Sequence, residues 1–271
     1  CSSLARQHAP IGIQLAMPDY KRLSSTHQKV ASAQEIKEAL QEKGITRVVF
    51  IRHANAAPPA ASGMKAKDAY DTPHDWKMDD QMRPITDKGK AQAEEARRWF
   101  LEGIGLENCR ALVASGARRA TETLQIMAGE RHADGTGDVS ILMLPSLHPA
   151  GISPTLEGMF DRINYAPLKR YYQEPGGASA LDEYSVVVAE EFITLVKNLD
   201  SSKKGNTLAC FGHALFANAV AKLVGEAMGL SKDDIAALSE IDLGESEGIS
   251  IQAPGQDAGG EGKMVLRHMH C

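Results

Sequence analysis

The chain has 271 residues, 43% hydrophobic and 24% charged, a length that accommodates one large α/β domain with a full core or two small ones. Its formal net charge of -5 is the opposite of the concentrated basic excess of a nucleic-acid binder, so an anionic ligand needs a local basic pocket. No apolar run approaches the roughly 18 residues that span a bilayer, and no membrane span is expected.

Residues 1–44 read as an N-terminal extension whose second half carries the capping box Ser32-x-x-Glu35 and one amphipathic helix toward Leu40. Val48-Val49-Phe50-Ile51 is the first of four short apolar runs expected as strands. Residues 54–82 form a long connection with Pro58, Pro59, Gly63 and Trp76, of a length found in lids over sites, in interaction surfaces and otherwise in plain mobile loops. Thr86 is placed to cap a helix toward Phe100, with Ala91, Ala96, Trp99 and Phe100 as its candidate buried positions. A second strand is expected over 111–114 and a helix over 118–127, then a third strand over 139–144.

Ser153-Pro154 reads as an N-cap followed by proline in the first turn, opening a helix toward Tyr172. A helix over 181–199 follows, with Leu181, Val188, Phe192 and Leu195 on one stripe. The fourth strand lies at 207–211, a helix runs over 214–228, and Ser231 caps a short one after it. The tail, 248–251 and 264–266 around a glycine-rich stretch, reads as a closing β-hairpin. Continuous rather than alternating hydrophobicity marks the four runs as strands covered on both faces of a parallel sheet. Their alternation with helices predicts one doubly wound α/β domain.

The four cysteines, Cys1, Cys109, Cys210 and Cys271, share no metal-ligand spacing. Cys210 lies inside an apolar run and is expected as a small buried hydrophobe rather than a ligand. A soluble, intracellular protein in a reduced compartment is expected, and Cys1 fits the processed start of an organelle-imported precursor.

Three strands end in polar residues of one character. The first ends in Arg52-His53, the second in Ser115 with Arg118 and Arg119 just beyond, and the fourth in Gly212-His213. In an open α/β sheet, ligands bind outside the carboxyl ends of the strands, so these groups are expected to converge on one crevice. Arginine forks match phosphate oxygens, a neutral imidazole is a nucleophile toward phosphorus, and helix N-termini favour an anion. The pattern therefore points to phosphoryl transfer.

The same residues carry a resemblance. Ile51-Arg52-His53-Ala54 looks like the Arg-His-[Gly/Ala] signature of the histidine phosphatase superfamily, the phosphoglycerate-mutase-like group. Arg83-Pro84-Ile85-Thr86-x-x-Gly89-x-x-Gln92-Ala93, the block from Ser115 to Thr123, and Gly212-His213-Ala214 resemble its later blocks, in order. Asp80-x-x-Arg83-Pro84 together with Ala54 looks most like the short phosphohistidine-phosphatase branch. The resemblance implies a three-layer sandwich with a mostly parallel central sheet over 45–271, and neither cofactor nor metal. It makes His53 the phosphorylated nucleophile, with Arg52, Arg119 and His213 binding the phosphoryl group and Asn55, Ser115 and Arg83 as further phosphate contacts.

Where many members carry a glutamate general acid, this chain reads Ser146-Leu147-His148-Pro149, leaving His148 or Glu157 as candidate acids. Arg118 is expected as a solvated helix residue, Arg83 divides between phosphate contact and pairing with Asp80, and His268 and His270 are expected as plain tail residues. The leading expectation is a metal-independent phosphatase acting on a phosphorylated small molecule or phosphoprotein. One alternative is a catalytically weak member serving as a subunit of a larger protein complex, contacting it through 1–44 and 54–82. Another is a phosphoglycerate-mutase-type phosphotransferase, against which the missing glutamate counts.

Overall fold

One mixed sheet organises the described residues. The computed structural model describes residues 33–57, 80–129, 139–148, 153–163, 166–253 and 267–269. Strands β1 (Arg47–Arg52), β2 (Cys109–Ala114), β3 (Ser140–Met143) and β4 (Thr207–Gly212) run parallel in the order β3-β2-β4-β1. The sheet continues past β1 with β5 (Gly248–Gln252) and β6 (Arg267–Met269), each antiparallel to its neighbour.

Eight helices connect or cover the described strands: α1 (Ala33–Glu42), α2 (Asp87–Gly103), α3 (Arg118–Ala128), α4 (Pro154–Ile163), α5 (Leu168–Gln173), α6 (Gly177–Lys197), α7 (Ala214–Ala227) and α8 (Lys232–Glu240). The period of two along each strand divides the core between the two faces. Val48 and Phe50, Val113, and Leu208 and Cys210 pack with α1, α4 to α8 on one side. Val49 and Ile51, Leu112 and Ala114, and Ala209 and Phe211 pack with α2 and α3 on the other. This is the three-layer α/β sandwich with a mostly parallel central sheet, and burial on both faces is why the runs read as unbroken apolar sequence.

Most expected elements are present within a few residues. Thr86 and Ser231 cap α2 and α8, each accepting from the backbone N–H three residues on at 3.1 Å. The helix expected from Ser153 to Tyr172 is instead two, because Pro167 supplies no N–H and disfavours helical backbone before it. On α2 the buried stripe is Gly89, Ala93, Ala96 and Phe100, whereas Ala91 is exposed half a turn away and Trp99 is half-buried. The closing arm of the tail hairpin is β6, just beyond the 264–266 expected, which lies outside the described residues.

The amphipathic helix α1 buries Ile36, Ala39 and Leu40 in the same core as α6 and α7. Residues 1–32, with Ser32 of the expected capping box, and 58–79 of the long connection lie outside the described residues, as do Cys1, His270 and Cys271. Cys109 and Cys210 are free and buried, and burial pushes both thiols up to about 12. Among the described residues no helix is long and apolar enough to cross a membrane.

Candidate active site

The parallel register sets the site. Arg52 pairs with Gly212 at the ends of β1 and β4, and Ala114 of β2 pairs with Phe211. The next residue on each strand still follows the ladder: the His53 N–H donates to the Gly212 carbonyl and the Ser115 N–H to the Phe211 carbonyl, both at 2.9 Å. His53, Ser115 and His213 thus stand side by side at the carboxyl edge of the sheet. A 3₁₀ turn after β3, Pro145–Leu147, brings in His148. The His213 ring lies 5.1 Å from that of His53 and 4.8 Å from that of His148, centroid to centroid. All three histidines are buried.

Hydrogen bonds fix the state of each ring. His53 Nδ1 lies 2.7 Å from the Ala54 carbonyl, which only accepts, so Nδ1 carries the proton. Nε2 of His53 therefore keeps its lone pair, and it accepts from Arg119 Nε at 3.2 Å. Arg119 Nη2 likewise faces His213 Nδ1 at 3.3 Å, which places the His213 proton on Nε2, where it donates to Ser115 Oγ at 3.1 Å. Burial and the charge of Arg119 hold His53 well below the usual histidine range, although its bond to Ala54 opposes this. Burial and then Arg119 depress His213 in the same way. Both rings are neutral at neutral pH.

Arg119, at the start of α3, is the hub. Beyond the two histidines, its Nη2 donates to Asp80 Oδ2 at 2.9 Å and its Nη1 to the Asp80 backbone carbonyl. Asp80 Oδ2 also accepts from His148 Nε2 at 2.8 Å, and Oδ1 from Arg83 Nη1 at 2.6 Å. His148 Nε2 stands 3.5 Å from Arg119 as well; the shorter contact to the carboxylate decides that it carries a proton. The N-termini of α3 and α7 open at the same edge, adding positive potential. Among the described residues no group of three or more His, Cys, Asp or Glu side chains is arranged to hold a metal ion.

The block from Arg83 to Ala93 is the scaffold beneath the His53 loop. The Thr86 N–H donates to the Asn55 carbonyl at 2.9 Å, its hydroxyl donates to Asn55 Oδ1 at 2.6 Å, and Gln92 Oε1 accepts from the Asn55 N–H at 2.9 Å. At Gly89 a Cβ would stand 2.1 Å from the Asn55 carbonyl oxygen, so only glycine lets α2 approach this closely. From α3, Thr123 Oγ1 accepts from the Ala54 N–H at 3.0 Å, and Glu122 accepts from the Ile85 N–H at 2.8 Å.

The structure brings His53, His213, Arg119, Ser115, Arg83 and His148 together, and it adds Asp80. Arg83 pairs with Asp80 and donates through Nε to the Ala57 carbonyl at 2.6 Å. Ser115 Oγ orients His213. Asn55, expected as a phosphate contact, instead spends its amide within the scaffold: Oδ1 on Thr86 and Nδ2 on Glu245 Oε1 at 2.8 Å. Arg52 Nη1 donates to the Leu243 carbonyl at 2.7 Å, and the charge of Arg52 is felt at His53. Glu157 lies on α4, its side chain outside the described residues. Arg118 is solvated and paired with Glu122. The residues that sequence reasoning missed as parts of the site are Asp80, Gln92, Glu122, Thr123 and Glu245. Asp80 was read only as a motif position and a partner for Arg83, the next three sit in the matched blocks, and Glu245 follows no pattern.

No family model and no curated protein matches the sequence. Among solved structures, the backbone is similar to a protein described as the phosphohistidine phosphatase SixA of Agrobacterium tumefaciens, at 17% identity and a TM-score of 0.42, over 83% of this chain and 98% of that one. It is similar also to a mycobacterial glucosyl-3-phosphoglycerate phosphatase, at 14% identity and a TM-score of 0.47, over 83% and 97%. A phosphoserine phosphatase from Entamoeba histolytica, in complex with 3-phosphoglyceric acid, matches at 17% identity and a TM-score of 0.45, over 84% and 98%.

Proposed function

We propose that this chain is a phosphatase of the histidine phosphatase superfamily, working through a phosphohistidine on His53. The observation that carries the reading is the state of that ring: Nδ1–H is tied to the Ala54 carbonyl and the Nε2 lone pair faces Arg119. A buried, neutral imidazole with one oriented lone pair beside a guanidinium is what attack on a phosphoryl group requires. The blocks that resemble the superfamily are the same residues that build this arrangement.

In the first step, the Nε2 lone pair of His53 attacks phosphorus. An N–P bond forms and the bond to the leaving oxygen or nitrogen breaks, its electron pair departing with that atom. Arg119, Arg83 and Arg52 offset the negative charge, and the Nδ1–H bond to Ala54 stabilises the positive charge that develops on the ring. His148, whose Nε2 carries a proton, gives it to the leaving atom; a good leaving group departs without it. In the second step, water attacks phosphorus and the electron pair of the N–P bond returns to Nε2. The water's proton passes to His148 where His148 gave up its own in the first step, and otherwise stays on the phosphate released. The arginines supply the positive charge, so no metal or cofactor enters the scheme. The substrate is a phosphorylated small molecule or phosphoprotein, and His148 in place of a glutamate favours leaving groups of low basicity, such as the imidazole of a phosphohistidine.

The test is brief incubation of the full chain with an aryl phosphate, followed by assay of acid-labile phosphate on the protein. Labelling of the wild type and none of His53→Ala is expected. An unlabelled wild type under rapid turnover, or equal labelling of both, would sink the reading.

A further inference from the structure

The phosphoryl cradle is already filled by a group of the chain itself. Four donor groups from three side chains converge on Asp80: Nη1 and Nη2 of Arg119, Nη1 of Arg83 and Nε2 of His148. Three of them meet its carboxylate and the fourth its backbone carbonyl. The Asp80 side chain is only 20% exposed, so this is an enclosed set of contacts rather than a surface pair. Burial alone raises the Asp80 carboxyl, but the hydrogen bond from His148 and the charge of Arg119 outweigh it and hold the group well below the usual carboxylate range. Acid within the working range does not empty the cradle.

Resting on the phosphatase reading, we propose that Asp80 is a specificity-determining residue: an internal anion that a ligand must displace from Arg119, Arg83 and His148. The selectivity follows from exchange. A monoanionic ligand replacing Asp80 neutralises no more charge than was neutralised before, and it must also release a carboxylate toward water. A phosphoryl dianion brings a second charge and three terminal oxygens. It can satisfy the arginine forks and His148 at once, and so it alone gains from the exchange. Discrimination here is built by raising the cost of the wrong ligand. Asp80 stands beside Arg83, whose N–H donates to the Asp80 carbonyl at 3.4 Å, so displacement loosens the turn that both residues share.

The experiment is calorimetric titration of the full chain with inorganic phosphate and with acetate, comparing wild type with Asp80→Asn. Acetate is expected to bind Asp80→Asn at least tenfold more tightly than wild type, and the phosphate-to-acetate preference is expected to shrink by a similar factor. Unchanged or weaker acetate binding, or an unchanged preference, overturns the proposal. Should Asp80→Asn not fold, amide exchange of the wild type decides: saturating phosphate is expected to speed exchange across 80–83, and slower or equal exchange overturns it. Failure of the phosphatase reading is separable. Gained acetate affinity without any label on His53 discards the reaction and keeps the anion exchange, whereas labelled His53 with unaltered acetate affinity does the reverse.

Discussion

The candidate site has two halves built in different ways. One half, His53, Ser115 and His213, stands on the ends of β1, β2 and β4, where backbone ladders continue one residue past the strands. The other half, Asp80, Arg83 and His148, comes from a short helical turn and a 3₁₀ turn, held mainly by its own side-chain bonds. Arg119 touches both. The strand-end half has one geometry dictated by the sheet, while the loop half depends on charge pairing that a ligand can replace. Fixed groups are suited to holding the nucleophile, and exchangeable ones to receiving the substrate.

The largest expected effect breaks the strand-end half at its centre. His53→Ala is expected to lower turnover of an aryl phosphate by about 10⁴-fold or more, read from steady-state kcat, because the proposed reaction draws its attacking lone pair from His53. Arg119→Ala cuts the link between the halves and is expected to reduce kcat/KM by roughly 10²–10³-fold. Arg119→Lys should recover little of it, since one ammonium cannot span His53, His213 and Asp80 as the guanidinium does.

In the loop half, His148→Gln is expected to cost about 10²-fold in kcat for an alkyl phosphate and far less for an aryl phosphate, because only the poor leaving group needs the proton. An equal loss for both would assign His148 to binding. Smaller still, Gly89→Ala adds a Cβ against the Asn55 carbonyl and is expected to destabilise the fold by about 1–3 kcal/mol in urea unfolding.

The pH dependence compares the halves directly. His53 and His213 titrate below their unfolded value of 6.5, so the unfolded chain binds more protons as pH falls through that value. Stability present above pH 6.5 is expected to decline below it, by up to about 1.4 kcal/mol per pH unit for each ring. Asp80 acts only later: its contribution is full above its unfolded value of 3.8 and is lost as pH falls below it. Urea midpoints from pH 8 to 3 should fall in those two stages. A flat profile between 6.5 and 4.5 would show that the histidines are not buried neutral.

Much of this was legible in the sequence because period and punctuation report regular structure. Unbroken apolar runs identified β1 to β4, Thr86 and Ser231 marked helix starts, and the polar residues after the runs marked the strand ends. What the sequence hid is whatever depends on where a side chain turns. Asn55 lies two positions after His53, yet Thr86 and Glu245 draw its amide into the scaffold. Asp80 was visible in the pattern Asp80-x-x-Arg83-Pro84 and as a partner for Arg83, but nothing in its spacing announces Arg119, 39 positions on, or His148, 68 positions on. Glycine at position 89 was readable as part of a matched block, while its reason, the Asn55 carbonyl, is a contact across 34 residues that no local pattern carries.

The central claim concerns one atom. His53 Nδ1 donates to Ala54 and Nε2 faces Arg119, so in the proposed reaction Nε2 is the atom that takes the phosphoryl group. Trapping the phosphorylated chain in alkaline denaturant and reading the ring position of the phosphoryl group by NMR tests this directly. The account predicts phosphate on Nε2 of His53. Phosphate on Nδ1 of His53, or on His213 or His148, would contradict it.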